Sequence, residues 1–245
     1  MHRLWICYDE EEVICMTEEM KKQRQAEATK ALDEVQAAMY AVLKPLGFRK
    51  HGRVFHRFVE EDISQVVELQ RGQAYREETH LFWVNVGVRV PECQLRSFAP
   101  EENAKKYYHE WECSLRYTLG EKSKRQTGAY DLRKPLEPII GDVLGRLQTS
   151  VLPAFEALSS REAILARRAD YPQFYSDWMP LLMEAMICGR RGEMDRVTAL
   201  FSEHYRTCGD PRYPQAAQAH RAYLRELAEK LGITITPEDD EAPET

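Results

Sequence analysis

One ten-residue run, Leu81-Phe82-Trp83-Val84-Asn85-Val86-Gly87-Val88-Arg89-Val90, sets the terms for the whole chain. Its apolar side chains recur at every second position, the period of a β-strand with one buried face. His80, Phe82, Val84, Val86, Val88 and Val90 share the core face. Leu81, Trp83, Asn85, Gly87 and Arg89 share the other, which mixes an aromatic ring with an amide and a cation. Pro91 closes the run, because a residue without a backbone N–H cannot extend a ladder.

Two further strands precede it. Arg53–Phe58 and Ile63–Arg71 flank Glu60-Glu61-Asp62, a tight polar connection that predicts a hairpin. In the second of them Ile63, Val67 and Leu69 alternate with Ser64, Val66, Glu68 and Gln70. Upstream, Ala28, Ala31, Leu32, Val35, Ala38, Met39, Val42 and Leu43 recur at three- and four-residue steps, so a helix runs from Thr17 to Leu43. Pro45 and Gly47 end it, and Gly52 marks a turn in the basic segment Lys44–Arg57.

Downstream, residues 92–112 read as a loop and a short helix starting at Pro100-Glu101-Glu102. Cys113–Leu119 is a fourth strand and Ala129–Arg133 a short fifth one at an edge. A second long helix follows Pro135, with Ile139, Ile140, Val143, Leu144, Leu147, Val151, Phe155 and Leu158 on its face and a kink at Pro153. Segments 160–169, 173–189, 193–207 and 214–231 are helical, the turn at Gly189-Arg190-Arg191-Gly192 predicting an antiparallel hairpin. The expected fold is therefore α+β: an antiparallel sheet of four to five strands packed on long helices, followed by a helical C-terminal region. The expected divisions are a loose arm over 1–16, an α+β domain over 17–158, a helical region over 159–232 and an acidic disordered tail over 233–245.

Composition removes several function classes. The net charge of −6 over 245 residues argues against a dedicated nucleic-acid binder, since phosphate contacts need a basic face. No apolar run approaches the ~20 residues of a membrane span, and the acids Asp9–Glu12 interrupt what a signal peptide would need, so the expected location is cytoplasmic. The six cysteines are scattered without a close pair and read as reduced, mostly buried thiols rather than a disulfide framework.

The segments Leu43-Lys44-Pro45-Leu46-Gly47-Phe48, Gly52-Arg53-Val54-Phe55, Val67-Glu68-Leu69-Gln70 and Trp83-Val84-Asn85-Val86-Gly87-Val88, behind a leading helix, resemble a bacterial family, the domain of unknown function numbered 4304. The resemblance spans roughly residues 20 to 158 and includes the proline-bearing helix Val151-Leu152-Pro153-Ala154-Phe155. It implies a fold and carries no activity, and fold alone would not fix one. Between Cys113 and Arg133 the chain departs from the family pattern, so nothing is carried over to the fourth and fifth strands.

No cofactor loop, phosphate loop or exposed-serine turn is present, and no cofactor is expected. His204 and Cys208, four apart on a helix, with His220 on the next, fall short of the three or four ligands of a zinc site. The spacing of His109 and Cys113 straddles a loop and a strand. Neither pair is taken as a metal site. Glu68 and His56 would form an acid–base pair only if register brings them together. The candidate binding site is the polar side of the sheet: Glu68, Gln70, Trp83, Asn85 and Arg89, joined by Arg57 from the first strand. Amides and guanidinium groups around an aromatic ring are suited to a peptide or a small anion. A non-enzymatic binding module is expected, with another protein or peptide as partner; a small hydrolase or transferase working on the same face is the alternative. If the polar face is solvated, Val86→Ala should cost about 1–3 kcal/mol in denaturant melts and Arg89→Ala less than about 1 kcal/mol.

Overall fold

The computed structural model describes residues 18–72, 80–93, 105–120, 128–167, 170–174, 180–208 and 212–235. The proposed N-terminal arm, the helix start at Pro100 and residues 236–245 of the expected tail lie outside them; the tail's first residues are described and are not loose, since Ile233 is buried in the core and Ile235 packs against it. Among the described residues six strands form one antiparallel sheet: β1 (Arg49–His51), β2 (Val54–Phe58), β3 (Ser64–Arg71), β4 (Leu81–Arg89), β5 (Leu115–Leu119) and β6 (Tyr130–Asp131). They lie in the order β1-β2-β3-β4-β5, and β6 pairs with Leu81 and Phe82 of β4 beside the end of β5. The structure is thus α+β, as the alternation predicts. One strand was not foreseen: β1 forms from the basic segment itself, and all three of its residues are exposed.

Register sorts the side chains into two faces. On the inner face Phe55, Val67, Val84, Val86 and Val88 are fully buried. Against them pack α1 (Glu18–Leu43), through Leu32, Val35, Met39 and Leu43, and α2 (Leu136–Arg146), through Val143. Helix α1 ends as its sequence requires. Gly47 takes a left-handed φ of 86° and returns its N–H to Lys44 O at 3.1 Å, a conformation glycine adopts without a Cβ penalty. Phe48 is then driven under the sheet, its ring 5.9 Å from that of Phe155.

The kink expected at Pro153 takes another form. Leu147–Val151 is a π-helical turn joining α2 to α3 (Leu152–Ala157). A proline in a helix removes one N–H and crowds the carbonyl four residues back; the wide turn just before it absorbs that crowding, and the helical path continues.

The C-terminal helices α4 (Arg161–Arg167), α5 (Pro180–Arg190), α6 (Met194–Thr207) and α7 (Pro214–Leu231) extend the same core. Ile164, Leu182, Ile187, Phe201, Tyr205 and Leu224 belong to one buried cluster with the inner-face valines. Helices α5 and α6 form the predicted antiparallel hairpin around Gly192. Cys93, Cys113, Cys188 and Cys208 are all free and buried.

Charge joins these helices to the sheet. Arg161, 4% exposed, sends Nε and Nη2 to the two oxygens of Glu92 at 2.6 and 2.9 Å and Nη2 to Asp62 at 2.8 Å. Its backbone N–H donates to Glu60 at 2.7 Å, and Arg190 approaches Glu61 and Asp62 at 3.1 and 3.0 Å. The β2–β3 hairpin acids thus hold α4 and α5. Removing one partner of a buried ion pair leaves the other charges uncompensated, so Arg161→Leu should lower stability by about 3–5 kcal/mol in urea melts, with the α4–α5 amides losing hydrogen-exchange protection before those of β3 and β4.

Candidate functional site

The outer face of the sheet follows directly from strand pairing. One row across the strands is His51, Val54, Glu68, Asn85 and Thr118; the next is Arg49, His56, Val66, Gly87 and Arg116; a third is Phe58, Ser64 and Arg89. Gln70 and Trp83 form the row beyond Glu68. Five of the six predicted site residues, Glu68, Gln70, Trp83, Asn85 and Arg89, therefore do share this face. Arg57 does not. It lies two residues from the buried Phe55 and points to the same, inner side, where its guanidinium sits 4.8 Å from the Phe48 ring, donates through Nε to Gln65 Oε1 at 2.7 Å and through Nη2 to Glu156 at 2.5 Å.

The face is not a solvated sheet surface. Residues 105–113 cross it as a strap that packs Tyr108 and Cys113 on Val54 and Val66 in a second buried cluster. Cys113 rests on Gly87 so closely that a Cβ there would lie 2.6 Å from both Cβ and Sγ of the cysteine. Arg89 is 2% exposed, with the Tyr108 ring 3.7 Å from its guanidinium. The expected small cost of Arg89→Ala is accordingly corrected: the side chain is part of the packing.

The polar groups answer one another. Asn85 Nδ2 donates to Gln70 at 2.7 Å, and Asn85 Oδ1 accepts from Thr118 at 2.9 Å, an amide–hydroxyl chain across three strands. Glu68 shares the face with His56 but pairs with His109: its Oε1 lies 2.9 Å from His109 Nδ1, and its Oε2 accepts the Glu110 N–H at 2.9 Å. A carboxylate only accepts, so the hydrogen of this bond comes from His109 Nδ1. Burial, reinforced by the nearby Glu68 charge, raises the Glu110 carboxyl although Arg116 opposes it. Burial also pushes the Cys113 thiol well above its ordinary range, which removes it as a nucleophile.

Sequence reasoning missed the rings of the strap. His51 stacks on Tyr107 at 3.8 Å, Tyr107 meets His109 edge-on at 5.5 Å, and His109 stacks on Trp111 at 6.0 Å. Trp111 is 57% exposed and Phe58 44%. The run Tyr107-Tyr108-His109-Glu110-Trp111 carried the signal: four rings in five residues have no place in an ordinary polar loop.

Away from the sheet, His204 and His220 approach through their Nε2 atoms at 3.4 Å, and Cys208 turns back to donate to Tyr205 O at 3.1 Å. Among the described residues no group of three or more His, Cys, Asp and Glu side chains is arranged to hold a metal ion. No helix among them is long and apolar enough to cross a membrane.

An antiparallel sheet covered by helices on one side and by an aromatic strap on the other defines the class of this α+β protein. Residues 39–157 match the family described as Domain of unknown function (DUF4304), the family that the Gly47-Phe48 turn and the Trp83–Val88 strand resemble. No curated protein matches the chain, and no solved structure does.

Two measurements probe this arrangement. Gly87→Ala should destabilise the protein by about 1–3 kcal/mol and raise the reactivity of the Cys113 thiol, because the added methyl lifts the strap. The second concerns His204, 3% exposed, whose pKa is lowered to about 4 by burial and by His220. The unfolded chain takes up that proton near pH 6.5 and the native one does not. Stability should therefore fall as pH drops from about 6.5 towards 4, by on the order of 3 kcal/mol, and His204→Gln should flatten that slope in pH-resolved melts.

Proposed function

We propose that this is a non-enzymatic binding module of a bacterial cytoplasm that receives a segment of another protein on the outer face of its sheet. The observation carrying this reading is the division of labour on that face. Glu68, Gln70 and Asn85 are engaged by the protein's own groups, although Gln70 stays exposed, while rings and cations, Trp111, Phe58, Arg49 and His51, stand in solvent. Trp111 is the most exposed large apolar side chain on this face, yet its ring is set by the His109 stack and, through it, by Glu68. Arg49 and His51 stand exposed on the same face at the outermost strand, and His51 is linked to Trp111 through the rings of Tyr107 and His109. Anchored aromatics with neighbouring cations are the side chains that carry binding energy at protein interfaces, and the cations favour an acidic segment. An inhibitor or immunity role, with one dedicated partner, is the concrete form of this reading.

Peptides selected on the full-length chain from a random display library should be rich in Asp and Glu. Trp111→Ala and Arg49→Ala should each weaken the selected peptides by about tenfold, or ~1.4 kcal/mol, with melts unchanged within about 0.5 kcal/mol. Wild-type affinity in Trp111→Ala would remove this rim from the interface.

A second reading, a small hydrolase or transferase, rests on the Glu68–His109 pair, since an imidazole oriented by a carboxylate is the working half of a general base. It requires turnover of an ester or phosphoester panel that disappears in His109→Gln; a flat panel with the wild-type chain leaves the binding module alone.

A further inference from the structure

Two polar atoms on the outer face stand apart from the satisfied groups around them. Ser64 is fully buried and His56 is 5% exposed, and neither Ser64 Oγ nor His56 Nδ1 has a hydrogen-bond partner among the described residues. Buried polar atoms are ordinarily paired, with protein or with something bound. One row from His56, Glu68, Asn85 and Thr118 are hydrogen-bonded within the protein, so the exception is local.

Strand register explains why the two atoms belong together. Ser64 sits between Phe58 and Arg89 in one row, and His56 lies in the adjacent row of β2, two residues from Phe58. Ser64 and His56 are therefore diagonal neighbours on the same face, about 7–8 Å apart at their Cα atoms, close enough for one small group to touch both side chains. Arg89, directly across from Ser64, brings a buried positive charge. Tyr108 covers Arg89 from above, and its ring meets the half-exposed Phe58 edge-on at 6.1 Å, which makes Phe58 the open end of the row.

We propose that a small oxyanion, either a carboxylate of the bound acidic segment or a free phosphate, is held here by Ser64 Oγ, His56 Nδ1 and the Arg89 guanidinium. The three groups supply a hydroxyl donor, an imidazole N–H and a cation, a set that matches an acceptor-only ligand. The wider field agrees. Arg49 is the cross-strand neighbour of His56 and His51 lies two residues further along β1, while Glu68, one row further on, is committed to His109 and the Glu110 carboxylate lies 3.8 Å from Arg116. Burial, then Arg49 and His51, hold the His56 pKa below its ordinary value; an anion in contact would move it back up. The carboxylate form deepens the binding reading and rests on it, whereas the phosphate form does not.

The test uses the full-length chain melted in chloride, acetate and phosphate at equal ionic strength, with the His56 ring followed by NMR. A saturable rise in melting temperature above chloride is expected in acetate or phosphate, with an upward shift of the His56 pKa at saturation. The half-saturating concentration should rise at least tenfold in Ser64→Ala, a change that removes one hydroxyl and little volume. A response to acetate identifies the carboxylate, a response to phosphate the free anion. Identical melts in all three salts, or a response unchanged in Ser64→Ala, would overturn the proposal and leave a buried water as the partner of these atoms. Trp111→Ala separates this result from the peptide reading: it should weaken peptide capture by the same factor of about ten and leave the anion response in place.

Discussion

A single guanidinium closes this structure. Arg161 begins the first C-terminal helix, yet every group it binds belongs to the sheet layer: Glu60 at its amide, Glu92 and Asp62 at its side chain. Glu92 is itself nearly buried, its side chain 11% exposed. Carboxylates brought this close repel one another strongly away from water, so the β2–β3 turn and the end of β4 depend on Arg161, with Arg190 beside it at the exposed side, to lie together. The contact is therefore a condition for the docking of α4 and α5 rather than an addition to it. Nothing apolar could replace the arginine alone; the acids would have to go with it.

The sheet shows the opposite strategy on its two faces. Inside, valines and phenylalanines meet helices, and stability comes from apolar area removed from water. Outside, the same strands carry carboxylate, amide and guanidinium groups, and the chain returns as the 105–113 strap to pair with them. Glu68 is the pivot, since both of its oxygens are spent on the strap. A side chain suited to catalysis or ligand binding is used to hold another part of the protein, and the rings it holds become the exposed surface.

The strands with apolar alternation were legible: β2, β3 and β4 appear within a residue of their expected bounds because burial on one side imposes a period of two. Strand β1 was not, because Arg49, Lys50 and His51 are all exposed and carry no alternation; it forms only because β2 offers it a free edge across the Gly52 turn. The side of Arg57 was readable from its two-residue spacing to Phe55, a parity that its charge obscured. The cover over Arg89 was beyond the sequence, since the strap has no periodicity and reaches Glu68 across 41 residues. The Arg161 contacts, spanning 69 to 101 residues, belong to the same class: ion pairs leave no pattern in the chain between their partners.

Strand β1 also decides how this sheet meets other sheets. An edge of unpaired backbone groups invites continuation by any extended chain. Here that edge is three residues long and presents Arg49, Lys50 and His51 with Lys44 close by, both lysine ammonium groups lying 5.9 Å from the Tyr40 ring. A second copy arriving edge to edge would set cation against cation, which opposes growth into a two-molecule sheet. A strand of opposite sign meets no such barrier. The edge thus discriminates by charge, less accommodating to a strand of its own sign than to one of the opposite sign.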